Sequence, residues 1–205
     1  VRATALPLVI RWDKQGTLRA ESVNLVKVLA AKLQQPSGSE DEKLRLAASL
    51  VGAREIYPEI IPTIGNLLGK GGSTAFQSKL IESLGGINEP AVDAVLVNAY
   101  PALSPELQDA TFAQVIKRGD WSAAMVDSLK SGKVTPATLG PANIYRLRNH
   151  ADKEVARRAS AVMEELRGRE AKEKAALIAQ LEPEVARPGD AAAGKAVYTQ
   201  NCSVC

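Results

Sequence analysis

Two cysteines near the end of the sequence, Cys202 and Cys205, form a C-x-x-C pair and are the residues best suited to chemistry. Proteins use such a pair to hold zinc, to exchange disulfides, or to attach haem through two thioether bonds. Zinc needs two further ligands, and the rest of the chain offers one histidine, His150, and no second cysteine pair. The residues therefore give little support to a zinc site.

The other two uses of the pair depend on what surrounds it. Disulfide exchange of the thioredoxin type places the pair at a helix N-terminus after a strand, whereas residues 191–200 have a helical pattern. Covalent haem needs both thiols and a histidine directly after the second one, which would be the residue that follows Cys205. The residues alone leave these alternatives open.

The elements that precede the pair are marked by regularly spaced helix starts. Ser39 opens a capping box with Glu42, and similar starts recur at Ser73, Ser104 and Thr135. Counted from Ser39, these starts follow one another at intervals of 34, 31 and 31 residues. Each interval holds two short amphipathic patterns, which predict helix pairs over 40–52 with 58–69, 74–86 with 89–100, and 105–118 with 121–131.

A period of this length built from antiparallel helix pairs is typical of an α-solenoid, in which each unit buries its apolar side on the next. The landmarks of tetratricopeptide repeats are missing, so we predict an all-α, HEAT-like α-solenoid, a superhelix of antiparallel helix pairs. Aromatic residues make up only 4% of the chain and apolar residues 45%, which favours helix packing over a sandwich or barrel.

The C-terminal third predicts one long helix and then a break. A helix starts at Asp152 with an apolar face and continues as a charged helix over 169–181, after which Pro183 and Pro188–Gly189 break the pattern. We therefore predict three parts. These are a HEAT-like domain over 1–182, a linker over 183–189, and the first helix of another domain over 190–205.

Residues 189–205, GDAAAGKAVYTQNCSVC, resemble the opening helix of a small c-type cytochrome domain that is truncated here. The resemblance implies that Gly194 and Tyr198 pack this helix against the last helix of such a domain. It also implies that Cys202 and Cys205 attach haem c covalently in the full-length protein. The fragment itself is not expected to hold haem, because no residue follows the second cysteine.

Residues 139–166, with the run RLRNHAD at 146–152, resemble the helical segment of planctomycete and verrucomicrobial haem-binding proteins. In that family a sugar-dehydrogenase-like β-propeller, a HEAT-like region and a c-type cytochrome domain follow in order, and the proteins are exported. The resemblance implies a periplasmic or otherwise exported scaffold for electron transfer, without catalysis of its own. Its partners would be neighbouring domains of the same polypeptide and a redox partner protein.

Other conspicuous residues have simpler interpretations. His150 precedes a helix and is predicted to be structural, while Trp12 and Trp121 are predicted to be packing anchors. The arginines near the end alternate with acids, which indicates a salt-bridged surface; they are Arg146, Arg148, Arg157, Arg158, Arg167 and Arg169.

The usual enzyme signatures are absent, no apolar run reaches 18 residues, and the net charge is only +3. No bound metal, membrane span or nucleic-acid partner is therefore expected. The alternative function is a HEAT-type module that binds a protein or DNA and has incidental cysteines.

Overall fold

A computed structural model of the protein describes residues 2–185 and 187–203, and every regular element within these ranges is helical. The first helices are α1 (Arg2–Trp12), α2 (Arg19–Leu33), α3 (Glu40–Val51), α4 (Ile60–Gly65), α5 (Thr74–Gly85), α6 (Pro90–Ala99), α7 (Pro105–Val115) and α8 (Gly119–Lys130). The others are α9 (Pro136–Leu139), α10 (Pro141–Arg148), α11 (Lys153–Val185) and α12 (Ala191–Asn201). The all-α prediction is confirmed for these residues, which fall into two compact units, Val1–Val162 and Met163–Cys205.

The predicted helix starts are present, and three of them are capped by their own side chains. The side-chain oxygens of Ser39, Ser73 and Thr135 each accept a hydrogen bond from the amide three residues further on, at 3.2, 3.1 and 3.1 Å. Ser104 makes no such bond, and Pro105 follows it in the first helical position, where no amide is needed. The regularly spaced helix-start signals of the sequence therefore correspond to helix N-termini in the structure.

The capping box at Ser39 forms only in part. Glu42 does not return the bond to the Ser39 amide, because its Oε1 accepts a hydrogen bond from Lys32 Nζ at 2.7 Å. Lys32 lies in the last turn of α2, so this ion pair connects α2 with the start of α3. Lys32 of α2 therefore takes the place of the Ser39 amide, which the sequence pattern predicts as the partner of Glu42.

Within the first unit, α1 and helices α3 to α8 pack extensively on a helix two places away along the chain, whereas α2 packs mainly on α3. Helix α1 contacts α3, α3 contacts α5, and α5 contacts α7, while α4 contacts α6 and α6 contacts α8. The predicted pairs correspond to α3 with α4, α5 with α6, and α7 with α8. The largest fully buried side chains are Trp121, Tyr100, Phe112, Leu6, Leu33, Leu50, Ile60, Ile61, Ile64, Leu80, Ile81 and Leu84. Helices α1, α3, α5 and α7 thus form one row and α4, α6 and α8 another, and the buried side chains include both aromatic and aliphatic residues.

The two tryptophans differ sharply. Trp121 in α8 is 1% exposed, which confirms its prediction as a packing anchor, and the guanidinium of Arg118 lies 4.4 Å from the centre of its ring. Trp12, at the end of α1, is 74% exposed, so the same prediction is wrong for this residue. Trp12 is the last residue of α1, and the chain turns at Asp13 directly after it.

The second unit contains the distal part of α11 and the separate helix α12. The charged helix predicted over 169–181 is present, but the break predicted at Pro183 is wrong, because α11 runs without interruption to Val185 and includes Pro183 in its last turn. Ion pairs such as Lys174 with Glu170, 2.6 Å between Nζ and Oε1, lie on its surface. Residues 187–190 are not helical and precede α12.

One carboxylate links the N-termini of two successive helix pairs. Glu40, the first residue of α3, accepts hydrogen bonds from the Ser73 amide and from the Ser73 hydroxyl, both at 2.6 Å. Ser73 in turn caps α5. The hydroxyl and amide of Ser73 hold the pKa of the Glu40 carboxyl below its ordinary value.

Changing Glu40 to glutamine is expected to lower the urea midpoint of unfolding near neutral pH. The reason is that an amide nitrogen cannot accept one of the two hydrogen bonds that Ser73 donates. The wild-type advantage is fully present above the unfolded-chain pKa of about 4.3 and is lost as the pH falls through the lower folded pKa. Urea titrations of both proteins at about pH 7 and about pH 3 measure this difference.

Asp41→Asn is the matched control, because Asp41 is an exposed acid in the same first turn of α3. Both substitutions remove one charge near the positive end of the helix dipole, so that contribution cancels. A Glu40→Gln midpoint equal to that of Asp41→Asn at neutral pH would contradict the link between helix pairs.

Candidate functional site

Helix α12 carries the predicted haem-attachment pair and is capped at both ends. At its start, Asp190 Oδ1 accepts hydrogen bonds from the amides of Ala192 at 2.8 Å and Ala193 at 3.1 Å. At its end, the Cys202 amide donates to the Tyr198 carbonyl at 2.8 Å. These bonds define the two ends of α12 from residues of the helix and its caps alone, and they place Cys202 at its C-terminus.

The structure places one of the two predicted attachment residues. Cys202 is exposed and carries a free thiol, so its sulfur is accessible for a thioether bond. Cys205 lies outside the described residues. Within residues 2–185 and 187–203, no group of three or more histidine, cysteine or acidic side chains could hold a metal ion.

One face of α12 carries exposed apolar groups. Val197 is 59% and Tyr198 is 61% exposed, and a Cβ built on Gly194 would meet no atom within 4 Å. These residues are spaced three and four positions apart and therefore lie on one side of the helix. The cytochrome resemblance assigns Gly194 and Tyr198 to packing against another helix, and both are accessible for such packing.

His150 is engaged by the fold. The Asp152 amide donates a hydrogen bond to its Nδ1 at 3.0 Å, which leaves the proton on Nε2. Nε2 lies 3.1 Å from the Ile116 carbonyl and 3.3 Å from Ser122 Oγ. Both ring nitrogens are therefore used to join the start of α11 to α7 and α8, and the prediction of a structural role is confirmed.

The salt-bridged surface predicted for the six arginines is found for three of them. Three ion pairs join them to acids: Arg157 with Glu154, Arg158 with Asp127, and Arg167 with Glu164. Arg146 instead lies over the ring of Phe112, with its guanidinium 5.0 Å from the ring centre. These four guanidinium groups already have partners, which weakens the case for a phosphate-binding face.

A polar groove between α6 and α8 was not singled out by the sequence. This α6–α8 groove has a volume of about 420 Å³ and is lined by Asp93, Ala94, Val97, Asn98, Ala124, Asp127, Ser128, Ser131 and Lys133. Burial raises the pKa of Asp93 above its ordinary value, and the Asp120 carboxylate adds to this rise, while the Ala94 amide opposes it. The sequence gives no signal for it, because its walls are 30 or so residues apart and meet only through the packing of α6 on α8.

Comparisons with protein-family models, with curated proteins and with solved structures find no match to this chain. Among the described helices, none combines the length and the apolar character needed to cross a lipid bilayer.

Proposed function

We propose that this chain is the helical repeat scaffold of an exported c-type haem protein and has no catalytic site of its own. Haem c is attached at Cys202 and Cys205 in the full-length protein. The observation that carries this proposal is the arrangement at α12, a separately capped helix that presents a free, exposed thiol beside the uncovered Val197 and Tyr198.

The repeat arrangement supports the scaffold role. Helices that pack on the helix two places along the chain, in two rows, are what a HEAT-like solenoid requires. Such an array keeps the parts of a polypeptide at a fixed distance, because each unit is held by its neighbours. We infer that the first unit spaces an electron-donating domain from the haem that follows it.

In this proposal, the chain supplies the two thiols that attach the haem, and the histidine that ligates the iron lies outside it. When bound, haem c supplies one-electron transfer. Cys202 and Cys205 contribute the thiols of attachment, but His150 could ligate iron only by giving up its bond to the Asp152 amide at Nδ1 or to the Ile116 carbonyl at Nε2. The proposal therefore requires the iron-ligating histidine to follow Cys205 in the full-length protein.

The test is to express the full-length protein with a c-type haem maturation system and to extract it with acid and acetone. Haem that is held by thioether bonds stays with the protein, whereas non-covalent haem is removed. We expect the wild type to retain a haemochrome spectrum and the double variant Cys202→Ser/Cys205→Ser to lose it entirely.

Ser203→Ala is the matched control. It lies between the cysteines, its hydroxyl donates only to the Thr199 carbonyl at 2.6 Å, and it should retain haem like the wild type. A wild-type protein that loses all its haem on extraction would refute the proposal and leave the two cysteines as ordinary thiols.

The second candidate function is a module that binds a protein partner, and the α6–α8 groove is the observation that favours it. A DNA-binding version is less well supported, since Arg157, Arg158 and Arg167 are paired with acids. DNA binding would show a steep loss of affinity with added salt, which a titration at two salt concentrations would detect.

A further inference from the structure

The exposed large apolar side chains of the described residues are not spread evenly over the surface. Three of them lie at the corner between α1 and α2, and four lie on the distal part of α11. Single exposed apolar residues are normal on a protein surface, whereas clusters of them mark places of interaction. Each of these two clusters is therefore a candidate interaction surface.

The cluster between α1 and α2 combines apolar side chains with two cations. Leu8 is 50%, Trp12 74% and Leu18 48% exposed. Leu8 and Trp12 lie four positions apart on α1 and share one side of that helix. Arg11 precedes Trp12, and the Lys14 amide donates to the Trp12 carbonyl at 2.8 Å. These five residues are called the corner patch.

Asp13, the acid between the two cations, is engaged elsewhere. Its carboxylate accepts a hydrogen bond from the Leu18 amide at 2.8 Å, which draws Leu18 back to the end of α1. Asp13 also lines a cavity together with Arg19, and neither Arg11 nor Lys14 lines that cavity. Arg11 and Lys14 are exposed and make no ion pair with the side chains that the structure describes. The corner patch therefore presents two unpaired positive charges beside its apolar groups.

The cluster on the distal part of α11 is an apolar stripe. Its four large side chains are 53%, 65%, 47% and 82% exposed, in the order Leu177, Ile178, Leu181 and Val185. Spacings of three, four and seven positions place them on one side of the helix. Glu182 borders this side and has no ion-pair partner within residues 2–185 and 187–203. These five residues are called the tail stripe.

The charge of the tail stripe is opposite to that of the corner patch. Residues 175–185 include two glutamates and no basic residue. They also form the C-terminal end of a 33-residue helix, where the helix dipole adds partial negative charge. Lys174, the nearest cation on α11, is already paired with Glu170. Every side chain from 167 to 183 is exposed, so no described helix covers this surface.

We propose that the tail stripe of one copy of this chain docks on the corner patch of a second copy. The four apolar side chains of the stripe cover Trp12 and its two leucine neighbours, while Arg11 and Lys14 lie against the acidic end of α11. Over residues 8–21, basic side chains outnumber acidic ones by three to two, so the charges of the two surfaces are complementary. An exposed tryptophan beside cations is the kind of residue that dominates interface energies. This association is independent of haem attachment.

A second copy accounts for both clusters, whereas a lipid surface accounts for one. An anionic membrane would attract the cations of the corner patch but would repel the glutamates of the tail stripe, which would stay uncovered. Docking between copies buries both apolar clusters in one contact. Because the two surfaces differ, the contact is heterologous, and each chain can use both of its surfaces at once.

The contact is expected to be weak. It buries seven large apolar side chains, whereas a standard interface uses about 20–30 residues on each side. At chain concentrations far below the dissociation constant, as in dilute unfolding experiments, the chain is therefore monomeric. At higher concentrations the average mass rises.

The first test is sedimentation equilibrium of the 205-residue chain over a range of concentrations, with a reducing agent that keeps the exposed Cys202 from forming disulfides. We expect the mass of the wild type to rise with concentration. Trp12→Ala and Ile178→Ser should each weaken the association at least about tenfold. Val28→Ser is the matched control, because Val28 and Ile178 are both 65% exposed and Val28 lies outside both surfaces. Serine, valine and isoleucine have similar helix propensities, so the helices should persist in these variants.

The second test mixes the two weakened variants. Trp12→Ala keeps an intact tail stripe and Ile178→Ser keeps an intact corner patch, so an equimolar mixture should form a one-to-one dimer that grows no further. A mixture that is as monomeric as each variant alone would overturn the proposal. So would a wild-type mass that stays constant up to about 1 mM chain, which corresponds to about −4 kcal/mol.

Vesicles of phosphatidylcholine and phosphatidylglycerol separate the lipid alternative. The proposal expects the wild type and Trp12→Ala to bind them equally poorly. Binding that Trp12→Ala loses and Ile178→Ser keeps, without self-association of the wild type, would assign the corner patch to a lipid surface and overturn the proposal.

Discussion

Replacing Trp121 with alanine is expected to lower the free energy of unfolding by about 3–5 kcal/mol, as large-to-small changes of buried aromatic residues do. Trp121 is the largest fully buried side chain in the protein, at 1% exposure, and it starts the apolar face of α8. Its loss leaves a cavity in the core and also removes the ring that the Arg118 guanidinium covers at 4.4 Å. Urea unfolding followed by circular dichroism measures the effect without relying on tryptophan fluorescence.

Trp12→Ala is the matched control, since it removes the same side chain from a position that is 74% exposed. The expected change is within about 0.5 kcal/mol, because surface substitutions away from caps and networks have small effects. If both variants lose similar stability, then Trp12 is covered in solution and the exposure of the α1 face is not what the structure shows.

The contrast between the two tryptophans shows what local sequence pattern can and cannot predict. The pattern of apolar and polar residues identifies a helix and its amphipathic face, and each ring has an apolar residue four positions away, Leu8 for Trp12 and Met125 for Trp121. Whether a ring is buried depends on the helix that packs against it. Helix α8 packs on α6 and its Trp121 is 1% exposed, whereas Trp12 at the end of α1 is left 74% exposed.

The helix starts could be predicted because their causes are local. A serine or threonine oxygen can reach the amide three residues away without any tertiary contact, as Ser39 and Ser73 illustrate. The absence of the return bond from Glu42 could not be predicted, since it depends on Lys32, a competing partner ten residues away on another helix. The same limit applies to the Glu40–Ser73 link and to the α6–α8 groove, which exist only after neighbouring helix pairs have packed.

The predicted haem-attachment pair differs from these tertiary contacts, because its spacing can be read directly from the sequence. The C-x-x-C spacing is visible in the sequence, and the structure adds that Cys202 is exposed and that α12 is capped by Asp190. It also adds a reason why the single histidine of the chain is not free for iron, which the sequence predicted only from its position in a loop. The histidine is held by a backbone amide on one side and a carbonyl on the other.

Gln77 is a buried polar residue that the sequence pattern would assign to the polar part of α5, yet it is only 3% exposed. Its side-chain nitrogen donates to the Leu67 carbonyl at 2.9 Å and to the Gly71 carbonyl, and its oxygen accepts from the Gly69 amide at 3.1 Å. The segment from α4 to α5 includes three glycines with positive φ, a conformation that offers few local hydrogen bonds. One side chain therefore organises a whole connection between helices.

Gln77→Leu is expected to lower the free energy of unfolding by about 2–3 kcal/mol, because it removes partners from three backbone groups while keeping most of the apolar volume. The loss of stability is smaller than that expected for leaving three buried backbone groups unpaired. Gly69 and Gly71 are exposed, so water can replace part of the lost hydrogen bonding. Amide hydrogen exchange at Gly69 should become faster in the variant, because its amide loses the Gln77 oxygen.

Gln108→Leu provides the graded control for this effect. Gln108 is half-buried and makes a single side-chain bond, from Nε2 to the Tyr100 carbonyl at 3.2 Å, so its replacement should cost about 1 kcal/mol. Because Gln77→Leu loses three hydrogen bonds and Gln108→Leu loses one, the Gln77 variant should be the less stable of the two. If Gln77→Leu were as stable as Gln108→Leu and the Gly69 amide kept its protection, the connection between α4 and α5 would be held by its own backbone, and the role assigned to Gln77 would be wrong.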